Sequence, residues 1–370
     1  MTETASLKRT PLYDRHLALG GKMVNFGGWS MPVYYTSILS EHLWTRQSCS
    51  IFDVSHLGEI RVTGSGAFEF LQYRLTNDLN KLKNGKILYN LLCDEKGGVL
   101  DDILVYQNSP TDYYLIVNAA GIDRDFAALS KYASDTVRLE NQSDQTACVA
   151  IQGPKSQALL ERLFGFDLKD LGYYCFKEEK FLNEPVWVSR SGYTGEDGFE
   201  IFASNALILP VWDKLVDAGK KEGALAAGLG ARNTLRLEAG NLLYGNDMDE
   251  TTTPLEAGLG WVVSFGKGPF VGSESLLSQK EKGISRRLVG FKMLDKPIAR
   301  EHYSIFKDGR KIGVVTSGSF GPSVGFNIGL GYVEKGADAP QTEIEVEIHG
   351  KRIKAQVVKL PFAPSKHKKG

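Results

Sequence analysis

Two adjacent aspartates, Asp101 and Asp102, stand in the middle of an apolar run, VLDDILVY. Charged side chains are depleted in strand interiors and costly to bury alone. Side chains alternate along a strand, so the two carboxylates are expected on opposite faces. That excludes a dyad working across one substrate. It leaves one carboxylate free to face a cleft as an acid–base or hydrogen-bonding group; the structural alternative is that both cap turns or pair with Lys or Arg. Glu200 repeats the arrangement inside GFEIF. Tyr89 and Asn118 flank the aspartates on neighbouring apolar runs, and Tyr193 sits in a glycine-rich turn, GYTGEDG. Arg232 and Arg236 are four apart and share one helix face. Tyr244 follows them. Each has an ordinary structural reading singly. Together they offer aromatic faces, two carboxylates in apolar surroundings, an amide and a cation. That set suits a flat, heteroaromatic, amide-bearing ligand with an anionic tail.

The elements that must position these groups follow from local pattern. Runs 87–93, 99–106 and 112–118 read as an antiparallel three-stranded meander, its first turn supplied by Gly97-Gly98 and its second by Ser109-Pro110. Residues 59–62 read as a strand, and 67–75 as a helix capped by Ser65. The Gly64-Ser65-Gly66 start lacks the third glycine and the acidic residue of a dinucleotide fingerprint. Helical spacing is expected at 37–48 and 121–134. Residues 146–165 read strand then helix, 181–203 as a second hairpin, and the next stretch as an amphipathic helix. Residues 1–35 read as loop-rich, 279–287 as a linker, and His56 as a histidine hydrogen-bonded into a turn. From Arg287 onward the pattern is all β, which predicts a small antiparallel barrel or sandwich.

Composition narrows the function class. Lys plus Arg is 44 and Asp plus Glu is 44 in 370 residues, a balance that argues against general nucleic-acid binding, which needs a basic footprint, and leaves room for a small local basic patch. The length allows two or three domains at about 150 residues each. Four scattered cysteines predict reduced thiols, and the six histidines show no metal-ligand spacing. No apolar run reaches the ~18 residues of a membrane span, and the N-terminus lacks a secretory h-region. A soluble cytoplasmic protein without a metal, nucleic acid or membrane partner is expected.

Longer motifs carry a resemblance. RTPLYDRHLALGGKMVNFGGWSMPVYY, IFDVSHLGEI, GGVLDDILVY, SRSGYTGEDGFEIF, GLGARNTLRLEAGNLLYGNDMDETTTPLEAGLGW and the closing KLPFAPS run nearly end to end. They resemble the glycine cleavage T-protein family, tetrahydrofolate-dependent aminomethyltransferases. The resemblance implies an α+β, three-domain, disc-like protein: two α+β domains with antiparallel sheets and a C-terminal antiparallel β-barrel around a central folate cavity. Residues 1–54 and 140–250 would form the first domain, 55–139 an inserted one with 251–280 packing on it, and 281–370 the barrel. It implies methylene transfer from the aminomethyl-lipoyl arm of the H-protein to tetrahydrofolate, with the P- and L-proteins in the same system. Asp102 would be catalytic. Tyr89, Asn118, Tyr193, Glu200, Arg232 and Tyr244 would bind folate; Glu196, Arg236 and His367 are lesser candidates. A non-enzymatic folate-binding relative supporting iron–sulfur assembly is the alternative. It is marked by a Lys-Gly-Cys-Tyr segment, which this sequence lacks.

Overall fold

The computed structural model describes residues 7–367. Strands with period-two patterning assemble into one eleven-stranded sheet. Its order is Ala224–Ala226, Cys49–Asp53, Thr146–Gln152, Gly198–Ser204, Glu184–Arg190, Cys175–Phe181, Lys86–Cys93, Val99–Ser109, Asp112–Val117, Gly58–Thr63, Arg138–Asn141. All pairs are antiparallel except Ala224–Ala226 against Cys49–Asp53. The expected meander and second hairpin are both present. Two antiparallel halves are thus fused edge to edge. The seam is short: Cys175 faces Lys86, secured by Ile87 N–H to Tyr174 O and Phe176 N–H to Gly85 O, each 2.8 Å.

Each half has its own core. Leu12, Ile51, Val149, Val188, Ile201 and Trp212 centre the first, between strands and the helix Asn205–Glu222. Ile60, Leu71, Leu92, Ile103, Leu115 and Leu129 centre the second, under the helices Ala67–Arg74 and Ile122–Ser130. The C-terminal strands close into a six-stranded barrel with a third core around Phe291, Ile305, Val333 and Val346. The helix Leu229–Glu238 anchors this barrel: Arg236 reaches Ser317 at 2.8 Å, and Ser323 N–H reaches Glu238 at 2.7 Å.

Four local readings are corrected. Residues 1–35 are not mainly loop: Tyr13–Ala18 is helical, and Lys22–Phe26 pairs with Trp29–Tyr34 around Gly27 and Gly28, whose φ values of 55° and 88° make the turn. Ser65 does not cap the next helix; Gly66 holds that position with no side-chain bond. The helix expected to reach residue 134 ends at Ser130. The supposed linker begins inside a helix, Ser273–Lys282, whose single buried residue, Leu276, gave little apolar signal.

Candidate functional site

A cavity of about 740 Å³ lies over the seam, walled by both sheet halves, the segment after the helix Leu229–Glu238, and the barrel. Such a volume is in the range of small-molecule sites. Six sequence candidates line it: Tyr89, Asp102, Asn118, Tyr193, Glu200 and Arg232.

Asp102 is half-buried and its two oxygens are each held by one donor. The Tyr89 hydroxyl donates at 3.0 Å and Asn118 Nδ2 at 2.9 Å. Asp101 is fully buried and accepts from the Asn118 backbone N–H at 2.9 Å and from Asn118 Nδ2 at 2.7 Å. Asp102 faces the cavity and Asp101 the protein interior beside Asp125, yet the two share one donor. Asn118, at the end of the adjacent strand, bridges them. Neither has an ion pair with Lys or Arg among the described residues. Burial, then the Asp101 charge, lifts the Asp102 pKa to about 7. Burial and the neighbouring Asp125 lift Asp101 well above the carboxylate range. A carboxyl poised near neutrality, open to a cavity, suits proton transfer at neutral pH.

Across the cavity, Glu200 comes from the strand Gly198–Ser204. It accepts a 2.5 Å hydrogen bond from the Ser191 hydroxyl. Burial raises its pKa, while that bond and the Arg232 charge pull it back. The Arg232 guanidinium lies 4.4 Å from the Tyr193 ring centroid and has no ion pair among the described residues. It is the cation left available to an anionic ligand group. The Tyr193 hydroxyl donates to Leu242 O, and Asn241 Nδ2 donates to Tyr193 O at 3.1 Å, so the glycine-rich turn is tied to the next segment.

The other candidates lie elsewhere. Arg236 is buried and occupied by Asp247 at 2.6 Å and Ser317; it holds the barrel and does not line the cavity. Glu196 is occupied by Arg46 at 3.1 Å and Lys366 at 3.0 Å and is likewise outside the wall. The Tyr244 hydroxyl accepts from Arg124 at 3.0 Å, next to the lining residue Leu243. His367 stacks on the lining residue Tyr173 at 4.2 Å between centroids. His56 is buried, with its ring roughly perpendicular to that of Phe26, and its Nδ1 has no partner among the described residues, so the expected turn hydrogen bond is absent there.

Several lining residues escaped the sequence reading. Trp261 stacks on Tyr89 with centroids 5.8 Å apart. Tyr173 and Tyr174 stack at 4.5 Å; a φ of 57° at Tyr174 allows consecutive rings on one side. Arg287 and Asp338 bring opposite charges from the barrel. Only the positive-φ tyrosine is locally unusual, and φ is invisible in sequence.

The family model described as the GCVT N-terminal domain matches residues 12–267. That of the glycine cleavage T-protein C-terminal barrel domain matches residues 286–363. An aminomethyltransferase of Thermosipho melanesiensis is 48% identical over 358 residues, covering 96% of this chain and 97% of the relative. One from Halothermothrix orenii is 46% identical over 356 residues, covering 96% and 100%. The crystal structure of the glycine cleavage system aminomethyltransferase T from Bartonella henselae is 37% identical, with a TM-score of 0.93 over 98% of this chain and 100% of that one. With both family models in chain order and relatives matched over almost their whole length, the chain belongs to the glycine cleavage T-protein family of aminomethyltransferases.

Proposed function

We propose that the cavity binds tetrahydrofolate and that this chain passes to it the methylene of an aminomethyl group carried on the lipoyl arm of the H-protein. The products are 5,10-methylenetetrahydrofolate, ammonia and dihydrolipoyl H-protein, within a system that also contains the P- and L-proteins. The observation that carries the reading is Asp102: a carboxyl with a pKa near 7, gripped by Tyr89 and Asn118, without an ion-pair partner among the described residues, and open to the cavity.

Each lining group has a task. Ionised Asp102 accepts a hydrogen bond from a folate nitrogen and aids its attack on the one-carbon unit, an effect typically of ~10²–10⁴-fold. Tyr89 and Asn118 fix its orientation. Glu200 accepts two donors from the pterin edge, as a carboxylate can. Tyr89 and Tyr193 present flat faces to the rings, and Arg232 meets the anionic glutamate tail. Separate cores support 1–54 with 140–250, 55–139, and 281–370 as units, and Lys267 Nζ, donating to Gln72 O at 2.6 Å and Asn77 O at 3.0 Å, supports packing of 251–280 on the second. In that division all three units contribute to the cavity wall. Among the described residues no helix is long and apolar enough to cross a membrane.

The test is ammonia release from aminomethylated H-protein, with and without tetrahydrofolate. Release that depends on tetrahydrofolate, matched by methylenetetrahydrofolate formation, is expected. Tight folate binding without release would favour the non-enzymatic reading.

A further inference from the structure

A second hollow, of about 330 Å³, lies behind Ile116, the one lining residue it shares with the main cavity. Its walls are aromatic. Tyr114 and Trp187 meet edge to face with centroids 4.4 Å apart, and Tyr106 and Phe202 at 5.8 Å. Glu59 lines it as well.

Glu59 is the anomaly. On the strand Gly58–Thr63, Ile60 and Val62 enter the core, so alternation turns Glu59 and Arg61 to the face that carries Tyr114 and Ile116. Glu59 is 1% exposed, and neither carboxyl oxygen has a hydrogen-bond partner among the described residues. A buried polar group left unpaired costs stability. Burial alone pushes its pKa well above the usual range, so the empty site holds it uncharged.

The surrounding charges favour a cation. Arg61 is neutralised by Asp112 through bonds of 2.9 and 3.1 Å. Glu140, opposite Arg61 on the neighbouring strand, pairs with Arg138. Glu178 lies exposed at the hollow and has no ion pair among the described residues. Aromatic faces attract cations, more strongly when water is excluded.

We propose that this hollow is a second binding site, for a small organic cation bearing N–H donors, an alkylammonium or guanidinium group. Glu59 accepts the donors, and the charge rests against Trp187, because the Arg61 guanidinium already lies 5.4 Å from the Tyr114 ring centroid. On binding, the Glu59 carboxyl gives its proton to solvent and pairs as the carboxylate with the incoming cation. One proton is therefore released per cation bound, and binding tightens as pH rises. The titratable groups around Glu59 and its ligand are Arg61 with its partner Asp112, Glu140, Glu178, Tyr106, Tyr114 and the buried Cys148.

The probe is n-butylammonium chloride, titrated calorimetrically into the full chain in two buffers of different ionisation enthalpy. One-to-one binding with about one proton released is expected. Glu59→Gln, which copies the uncharged shape of the empty site, should weaken binding by about tenfold or more, the scale of a lost charge-assisted bond. That comparison also separates this heat from cation binding beside Asp102. Glu178→Gln, an exposed change that leaves folding alone, should weaken it about twofold to threefold, as for a partly screened charge. 1-Butanol should fail to compete. Absence of saturable binding, an affinity unchanged in Glu59→Gln, no proton release, or equal binding of 1-butanol would each overturn the proposal.

Discussion

Asp102→Asn should make the protein more heat-stable relative to the parent as pH rises. The parent carboxyl has its pKa raised from 3.8 to about 7, first by burial and then by Asp101. Below 3.8 it is protonated in both folded and unfolded chains and contributes nothing. Between the two values the unfolded chain ionises while the folded one does not, so stability falls as pH rises. Above about 7 the cost stands at its full size. From pH 5 to pH 8 roughly two units of that shift are traversed, about 2.7 kcal/mol at about 1.36 per unit. Asp102 opens on the cavity, where water screens the charge, so about half of this is expected. A chain of 370 residues unfolds with an entropy of about 0.8 kcal/mol/K, which converts the remainder to about 2 °C. The assay is differential scanning fluorimetry of parent and variant at pH 5 and pH 8 and equal ionic strength. The Tm of Asp102→Asn minus that of the parent should be about 2 °C larger at pH 8. Asparagine turns its amide towards one of the two donors, Tyr89 or Asn118, but that penalty is present at both pH values and cancels. A difference that does not change with pH, or changes the other way, would mean that Asp102 is already ionised at pH 5 and would refute the reasoning.

Three other outcomes are expected. The kcat/KM for methylene transfer should fall about tenfold per unit below about pH 7 and drop ~10²–10⁴-fold in Asp102→Asn; a flat profile with normal turnover would remove Asp102 from the mechanism. Glu200→Ala should raise the Kd for tetrahydrofolate by about tenfold or more, because pterin donors would be left unpaired; an unaltered Kd places pterin recognition elsewhere. Arg236→Met should cost about 3–5 kcal/mol, because it strands the buried Asp247 charge. Arg232→Met breaks no ion pair among the described residues, so it should keep the parent Tm within a few degrees while weakening folate binding. Equal Tm losses in the two would contradict the division of labour between these arginines.

Local pattern exposed much of the fold. The meander, the second hairpin and the barrel strands announce themselves through alternation and Gly, Asp and Pro turns. The helix Leu229–Glu238 shows its periodicity in the same way. Where local signal is weak, the reading failed. The strand Trp29–Tyr34 contains Pro32, which sits in a two-stranded edge sheet and mimics a loop. The helix Ser273–Lys282 is almost wholly polar, and its one buried residue, Leu276, packs on Val263, Phe270 and the Gly97 turn. Alternation was correctly applied to Asp101 and Asp102, yet it missed their convergence, because Asn118 reaches both from the end of another strand.

The candidate residue types, a cavity carboxylate with aromatic and amide neighbours and a nearby cation, were likewise readable. Which of them face the cavity was not. Glu200 and Glu196 lie four apart, and so do Arg232 and Arg236; nothing local separates the members of each pair. Glu196 is occupied because Arg46 and Lys366 arrive from opposite ends of the chain. Arg236 is occupied because Asp247 and the barrel residue Ser317 close on it. The sequence by itself determined the order and type of the elements and the chemistry on offer, since propensity and periodicity act over a few residues. Only the tertiary structure decided which charged groups hold the chain together and which stay open to a ligand, because burial and pairing depend on partners brought in from distant segments.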